Sequence, residues 1–344
     1  MAQKLLNNTL SPKSKSFNLK GFFAKWEFIL FIIFIGINIM NIMISPNYLK
    51  YDNIMNVMII FLDKAIMVYG VMLVLLLGEI DISIASIIAL SSVCASIVFE
   101  KSGSFPLAVA VALLTGILCG AFNGFLLVAF PELNSTIVTL GNQILFRGIA
   151  YMLLEDQSLK GYAKQLAPLA WDHIFGLPVV LVVFIIETLV FAYLIHRTCF
   201  GRQVYAMGSN ITASRFSGIK TGKNKMLIFT ISGLCAAVSG LFLVAKLGSA
   251  RASIAKGYEM EVIAMAILGG VSTAGGKGRV IGVVLGVFTI GLLRYGLGLV
   301  NVSSQILMII IGALLIVTIA IPNLKQVVAD SKEKRRVRSR LVNN

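Results

Sequence analysis

The stretch RTCFGRQVYAMGSNITASRFSGIKTGKNK, residues 197–225, lies between two runs with almost no charge, PVVLVVFIIETLVFAYLIH (178–196) and MLIFTISGLCAAVSGLFLVAK (226–246). Each run has about the 20 apolar residues that a helix needs to cross a bilayer core. The stretch between them carries six basic residues, Arg197, Arg202, Arg215, Lys220, Lys223 and Lys225, and no acidic one. It therefore reads as a polar loop joining two membrane helices, and its 29 residues exceed what a simple connection requires.

The rest of the chain fits that reading. It has 344 residues, 58% hydrophobic and 13% charged, with a mean hydropathy of +0.90, where a soluble domain carries about 25% charged residues. Ten apolar segments are predicted, near 27–45, 62–78, 82–99, 105–130, 136–154, 178–196, 226–246, 259–271, 280–299 and 305–321. The fold class is accordingly all-α and polytopic, with about ten transmembrane helices. The second, third and eighth segments are short or interrupted and are candidates for broken or re-entrant spans. The domain plan is a basic lead (1–26), a membrane body (27–321) that contains the 197–225 loop, and a basic tail (322–344). The first apolar run follows the lead without a cleavage-site pattern and reads as a retained helix.

A formal charge of +15 raises the question of nucleic acid, but the basic residues cluster at the ends of apolar segments and form no groove or basic helix, so nucleic acid is not expected as a partner. With ten spans and the N-terminus inside, the lead, the 197–225 loop, the Lys277–Arg279 turn and the tail all fall on the cytoplasmic side, as the positive-inside rule requires. The expected location is the bacterial cytoplasmic membrane, with both termini cytoplasmic.

Catalytic signatures are absent. His173 and His196 are the only histidines, and the four cysteines are scattered, so neither a metal cluster nor a nucleophilic triad is expected, and no metal or other cofactor. AGGKG at 274–278 lacks the spacing of a phosphate-cradling P-loop. Energy for uphill movement must come from an ion gradient or from a separate ATPase. Candidate ionisable groups in the spans or at their ends are Glu79, Asp81, Arg147, Glu187, Glu259, Glu261 and Arg294. Each is costly in lipid, and Glu187 is expected to face protein. Glu79 and Asp81, followed by Ser83 and Ser86, read equally as a capped, solvated turn and as part of a translocation path. Asn123, Asn142 and Gln143 are further path candidates, with interhelical hydrogen bonding as the other reading.

Two glycine series, Gly116/Gly120/Gly124 and Gly278/Gly282/Gly286, share a four-residue spacing that lines one helix face for close packing. They also hint at an internal duplication. In the polar loop, Gly201, Gly208 and Gly218 read as breakers, Asn210 and Thr212 as N-cap groups, and Ala213–Phe216 as a short helix suited to docking on a soluble subunit.

Four stretches in order, GEIDISIAS (78–86), LGNQILFRGIAY (140–151), GRQVYAMGSNITASRFSGIK (201–220) and LGSARASIAKGYEMEVIAMAILGGVSTAGGKG (247–278), resemble the permease subunits of bacterial monosaccharide ATP-binding-cassette (ABC) importers, the ribose, rhamnose, xylose and autoinducer-2 group. GEIDIS with Glu79, DQSLKGY (156–162), HRTCFGR (196–202) and SIAKGYE (253–259) are most similar to the rhamnose-type branch. The resemblance implies a non-enzymatic permease that pairs with a second permease chain, identical or different. It implies a separate ABC ATPase and an extracytoplasmic sugar-binding protein as partners. It makes the 201–220 stretch the ATPase-coupling element, with Gly201, Arg202, Gly208, Asn210, Ala213, Arg215, Ser217 and Gly218 as its candidate residues. Autoinducer-2 or ribose import is the alternative, and an ion-coupled secondary transporter the more distant one.

Overall fold

Apolar runs that must satisfy their own backbone groups in lipid have one simple solution, the α-helix. In the computed structural model, which describes residues 26–303 apart from Asp156 and parts of 305–320, nearly every apolar run takes it. In chain order the helices are α1 (Trp26–Ile44), α2 (Tyr51–Ala65), α3 (Val68–Leu76), α4 (Ile84–Ser102), α5 (Phe105–Ala129), α6 (Ser135–Leu154) and α7 (Gly161–Trp171). A small hairpin, β1 (His173–Ile174) with β2 (Leu177–Pro178), then leads to α8 (Val179–Arg197), α9 (Cys199–Ser209), α10 (Ile211–Phe216), α11 (Thr221–Leu247), α12 (Tyr258–Leu268) and α13 (Val280–Leu299).

The all-α, polytopic expectation is borne out. Among the described residues seven helices are long and apolar enough to span, and α2 with α3 makes an eighth, bent by 41°. The second expected segment falls on this bent pair and is thus interrupted, as a broken or re-entrant span is. The third is a correction: α4 runs uninterrupted for 19 residues, and the irregular backbone lies ahead of it, at Leu77–Ser83. The eighth, α12, has only 11 residues and is completed by the non-helical Gly248–Gly257 segment. Residues 1–25 of the basic lead, parts of the tenth segment and the basic tail lie outside the described residues.

α11 and α4 form the centre; 72% of the most apolar stretch of α11 is buried against 17% for α1. α1, α5, α6 and α8 turn apolar side chains such as Ile32, Leu118, Ile144 and Leu189 outward, the surface a lipid solvent accepts. α5 crosses α11 at glycine contacts. A Cβ on Gly120 would strike the Phe229 carbonyl, and one on Gly124 would stand 2.8 Å from Met226 Cα. On the opposite side of that seam, Gly233 meets the backbone of Gly116 and Gly120. Gly282 and Gly286 bring α13 against α12 in the same way, at the Gly269 and Met265 carbonyls. Gly278 departs from the expected series, because α13 begins only at Val280 and Gly278 belongs to the preceding turn.

Candidate coupling and translocation site

α11 carries a polar residue at every seventh position of one face. Lys225 pairs with Glu79, Ser232 Oγ donates to Asp81 Oδ2 at 3.2 Å, Ser239 Oγ donates to the Asp63 carbonyl at 2.6 Å, and Lys246 Nζ reaches Asp63 Oδ2 at 2.5 Å. Seven residues are close to two helical turns, so Lys225 and Lys246 stand about 31 Å apart, near the thickness of a hydrocarbon core. The ladder binds the whole broken span, α2, α3 and the 77–83 link, to the central helix. The spacing K-x6-S-x6-S-x6-K is legible in the sequence and escaped the reading above, as did Asp63 and Lys64.

At one end of the ladder lies the polar loop, and it is mostly helix. α9 and α10 occupy Cys199–Ser209 and Ile211–Phe216, and α11 begins at Thr221. Gly201 and Gly208 do not break it. Gly201 sits in the first turn of α9 because a Cβ there would strike the Ile195 carbonyl where the chain folds back from α8. Gly208 lies inside α9 where a Cβ would collide with the Leu76 carbonyl and approach Gly276 N to 2.5 Å. Its lack of a side chain lets α9 lie directly on two irregular segments. Those segments are themselves joined, Gly276 N donating to the Leu76 carbonyl at 2.9 Å, and Tyr205 Oη donates to the Gly278 carbonyl at 2.6 Å. One contact thus links α9, the end of α3 and the 269–278 turn.

Asn210 separates α9 from α10 and caps the latter, accepting from Ala213 N at 2.9 Å. Thr212 lies inside α10 and caps nothing. Ser217 Oγ donates to the Ala213 carbonyl at 2.9 Å, and Gly218 ends the turn at φ +82°, in open space. Arg202 and Arg215 are exposed, Arg202 reaching Cys199 Sγ at 2.9 Å. α10 buries only Ser214 and holds Phe216 at 89% exposure beside an exposed Ile211. An apolar ring that bare, on a basic face, is suited to a groove in a soluble partner.

Within the bundle, a run of polar groups joins α6, α5 and the 77–83 link. Asn142 Nδ2 donates to Asn123 Oδ1 at 2.6 Å, Asn123 Nδ2 to Ser83 Oγ at 2.7 Å, and Ser83 Oγ to Asp81 Oδ1 at 2.6 Å. The Ser83 backbone N–H also donates to Asp81 Oδ1 at 2.9 Å. Asp81 is therefore no solvated turn; it is 1% exposed and fully engaged. Glu79, two residues earlier, stands apart from this run, held by Lys225. Gln143 belongs to neither and donates to Glu259 Oε1 at 3.2 Å. Of the five path candidates, then, the structure brings together Asp81, Asn123 and Asn142.

Arg147 serves the far side. Its Nη1 donates to the Ala252 and Ile254 carbonyls at 2.8 and 2.6 Å and its Nη2 to the Ala85 carbonyl at 3.0 Å. Nearby, Lys64 Nζ and Arg294 Nη1 both reach Glu261 Oε2 at 2.8 Å, and Lys64 lies 4.1 Å above the Tyr258 ring. Glu187 is half-buried against Cys235, as expected of a group facing protein. Among the described residues no cluster of His, Cys, Asp or Glu is arranged to hold a metal.

Residues 53–319 match the family described as branched-chain amino acid transport system / permease component. The chain is 34% identical to the ribose import permease protein RbsC of Escherichia coli (strain K12) over 82% of its length and 89% of the relative's. It is 33% identical to the D-allose transport system permease protein AlsC of the same strain, over 91% and 96%. It is 32% identical to the autoinducer 2 import system permease protein LsrD of Yersinia enterocolitica, over 75% and 80%. No solved structure matches.

Proposed function

The chain belongs to the permease-component family of membrane transport systems, and from that premise we propose that it is the membrane-spanning subunit of an ABC importer for a monosaccharide of the rhamnose type. It has no ATPase site of its own and works in the bacterial cytoplasmic membrane, with its termini and the α9–α10 face cytoplasmic, as the charge distribution favours. Residues 27–321 form the permease body, flanked by the basic segments 1–26 and 322–344, and 197–225 is the coupling loop.

The observation that carries this reading is the wedge at Gly208. α10 offers Phe216 outward while α9, on the same rigid turn, touches the ends of two non-helical segments. A partner that pulls on α10 therefore moves backbone inside the bundle. A separate ABC ATPase is the partner that would supply such a pull, with Gly201, Arg202, Gly208, Asn210, Ala213, Arg215, Ser217 and Gly218 as the coupling residues. A second permease chain, identical or different, completes the channel, and an extracytoplasmic binding protein delivers the sugar. ATP binding closes the ATPases, the two α9–α10 units shift, and the paired permeases alternate between outward- and inward-open states.

The choice of a sugar over an amino acid rests on chemistry as well as on the names of the relatives. A zwitterion calls for opposite charges along its path. The Asn142–Asn123–Ser83–Asp81 run instead holds neutral amides, a hydroxyl and one carboxylate with no cation beside it among the described residues, a set closer to what hydrogen-bond exchange with a polyol needs. Glu79 in GEIDIS favours a rhamnose-type solute. Ribose is the second reading, favoured by the 34% identity to a ribose permease.

Reconstituted vesicles holding the chain, its ATPase and its binding protein, offered labelled rhamnose, ribose, allose and autoinducer-2, test the proposal. ATP-dependent accumulation of one of these, abolished by Gly208→Val with the complex still assembled, is expected. Uptake driven by a proton or sodium gradient without ATP, and insensitive to Gly208→Val, would instead establish a secondary transporter.

A further inference from the structure

A cavity of about 460 Å³ opens on the same face as α9, lined by Trp26, Glu27, His196, Tyr205, Lys277 and Arg279 with glycine backbone as its floor. Two long helices end there, α8 at Arg197 and α13 beginning at Val280, and Trp26 of α1 stands beside them. Helix ends mark the boundary of the apolar layer, and a tryptophan beside such ends is a characteristic interfacial anchor. The cavity mouth therefore stands at the depth of lipid headgroups.

Its chemistry is that of an anion site. Lys277 is exposed and takes no ion-pair partner among the described residues. Arg279 is 61% exposed and meets Glu27 only at 3.4 Å, which leaves most of its guanidinium donors free. The first turn of α13 has no side-chain cap, so its open N–H groups add a partial positive charge beside the two cations. The floor is glycine, at Gly269, Gly270, Gly276 and Gly278, and lets a bulky tetrahedral group approach the backbone.

We propose that this cavity binds a phosphate group, that of an anionic phospholipid headgroup. Its occupant would touch the 276–279 turn, which holds α9 through Tyr205 and meets Leu76 through Gly276. Bound anion would thus brace the surface on which α9 rests.

The chain has two tryptophans, Trp26 and Trp171, and Trp171→Phe leaves Trp26 as sole reporter inside the cavity. The full chain carrying that change is reconstituted in phosphatidylcholine bilayers containing a small fraction of brominated phosphatidylglycerol or of brominated phosphatidylcholine. Brominated phosphatidylglycerol is expected to quench Trp26 more strongly at equal mole fraction. Lys277→Gln with Arg279→Gln should abolish the preference, weakening it about fivefold per cation removed. Glu27→Gln should raise it, and Lys220→Gln, on the same face but outside the cavity, should leave it. In detergent, inorganic phosphate that alone shifts Trp26 emission, through Lys277 and Arg279, would support the phosphate site with a soluble source in place of lipid. Equal quenching by both lipids together with a silent phosphate titration overturns the proposal. So does a phosphatidylglycerol preference that survives in the Lys277/Arg279 double variant.

Discussion

Two of the non-helical stretches in this helical body, Leu77–Ser83 and Gly248–Gly257, are held by different means. Leu77–Ser83 is held mainly by neutral groups around the Asp81 carboxylate, with Ile80 N donating to Ser135 Oγ at 3.3 Å, Ile82 N to Thr139 Oγ1 at 3.2 Å and Ser83 N to Asp81, and by an ion pair between Glu79 and Lys225 at its margin. Gly248–Gly257 is held by a guanidinium on two of its carbonyls and a backbone bridge between Leu159 and Ala250, beside a buried cluster of charges. Hydroxyl and amide bonds exchange partners at little cost, whereas breaking a charged, buried contact is expensive. The comparison assigns movement to the first link and anchorage to the second. It also fits their positions, since only the first lies against α9.

The most damaging way to test this contrast is Arg147→Ala. Three carbonyls lose a charged donor at once, a loss of roughly 3 kcal/mol or more, and thermal unfolding of the purified chain should drop sharply or the protein should fail to accumulate. Arg147→Lys should recover only part, because one ammonium cannot span two segments as a planar fork does. Next comes Asn123→Leu, which cuts the neutral run at its centre. It should destabilise by about 1–3 kcal/mol yet lower uptake more than tenfold, and an anchored role for this link would leave transport tracking stability alone.

Smaller still is the Lys225–Glu79 contact. Both side chains are mostly buried, so desolvation offsets much of their attraction and the pair's net contribution is small. In a double-mutant cycle of Lys225→Met and Glu79→Gln, the double change should cost no more than either single one. A transport defect restricted to Glu79→Gln would instead make Glu79 a path residue. The smallest effect is expected from Asn210→Ala, which removes the cap of α10 at about 1 kcal/mol. Binding of the partner ATPase should weaken several-fold while the fold of the membrane body, read by its unfolding midpoint, is unchanged.

Span positions were legible because lipid leaves the sequence so few options: nine of the ten predicted segments coincide with described helices or with a broken pair. The errors share one physical source. Gly201 and Gly208 look like breakers when weighed locally, and only the backbone crossing above them explains why a helix tolerates them. Asp63 and Lys64 passed unremarked because FLDKA (61–65) carries equal and opposite charges, and their partners lie on α11 and α12. The α7 helix and the following hairpin were missed because Gly161–Trp171 is short, holds Pro168, and takes its stability from burying Tyr162 and Leu166 against other helices. Within the candidate site, the cap at Asn210 was readable from its neighbours alone. The pairing of Asn123 with Asn142 needed three dimensions.

The glycine seam between α5 and α11 bears on how the molecule is made. Its halves, Gly116–Gly124 and Gly233, are far apart in the chain, so α5 enters the bilayer long before the helix that covers it has been synthesised. A stripe of bare backbone would meanwhile face lipid or a neighbouring helix, and α5 must remain free to turn until α11 arrives. α4, which also packs on both, is made just before α5 and is placed to shield it. Assembly of the body is therefore expected to stall, with α5 exposed to quality-control proteases, in any truncation that ends before α11.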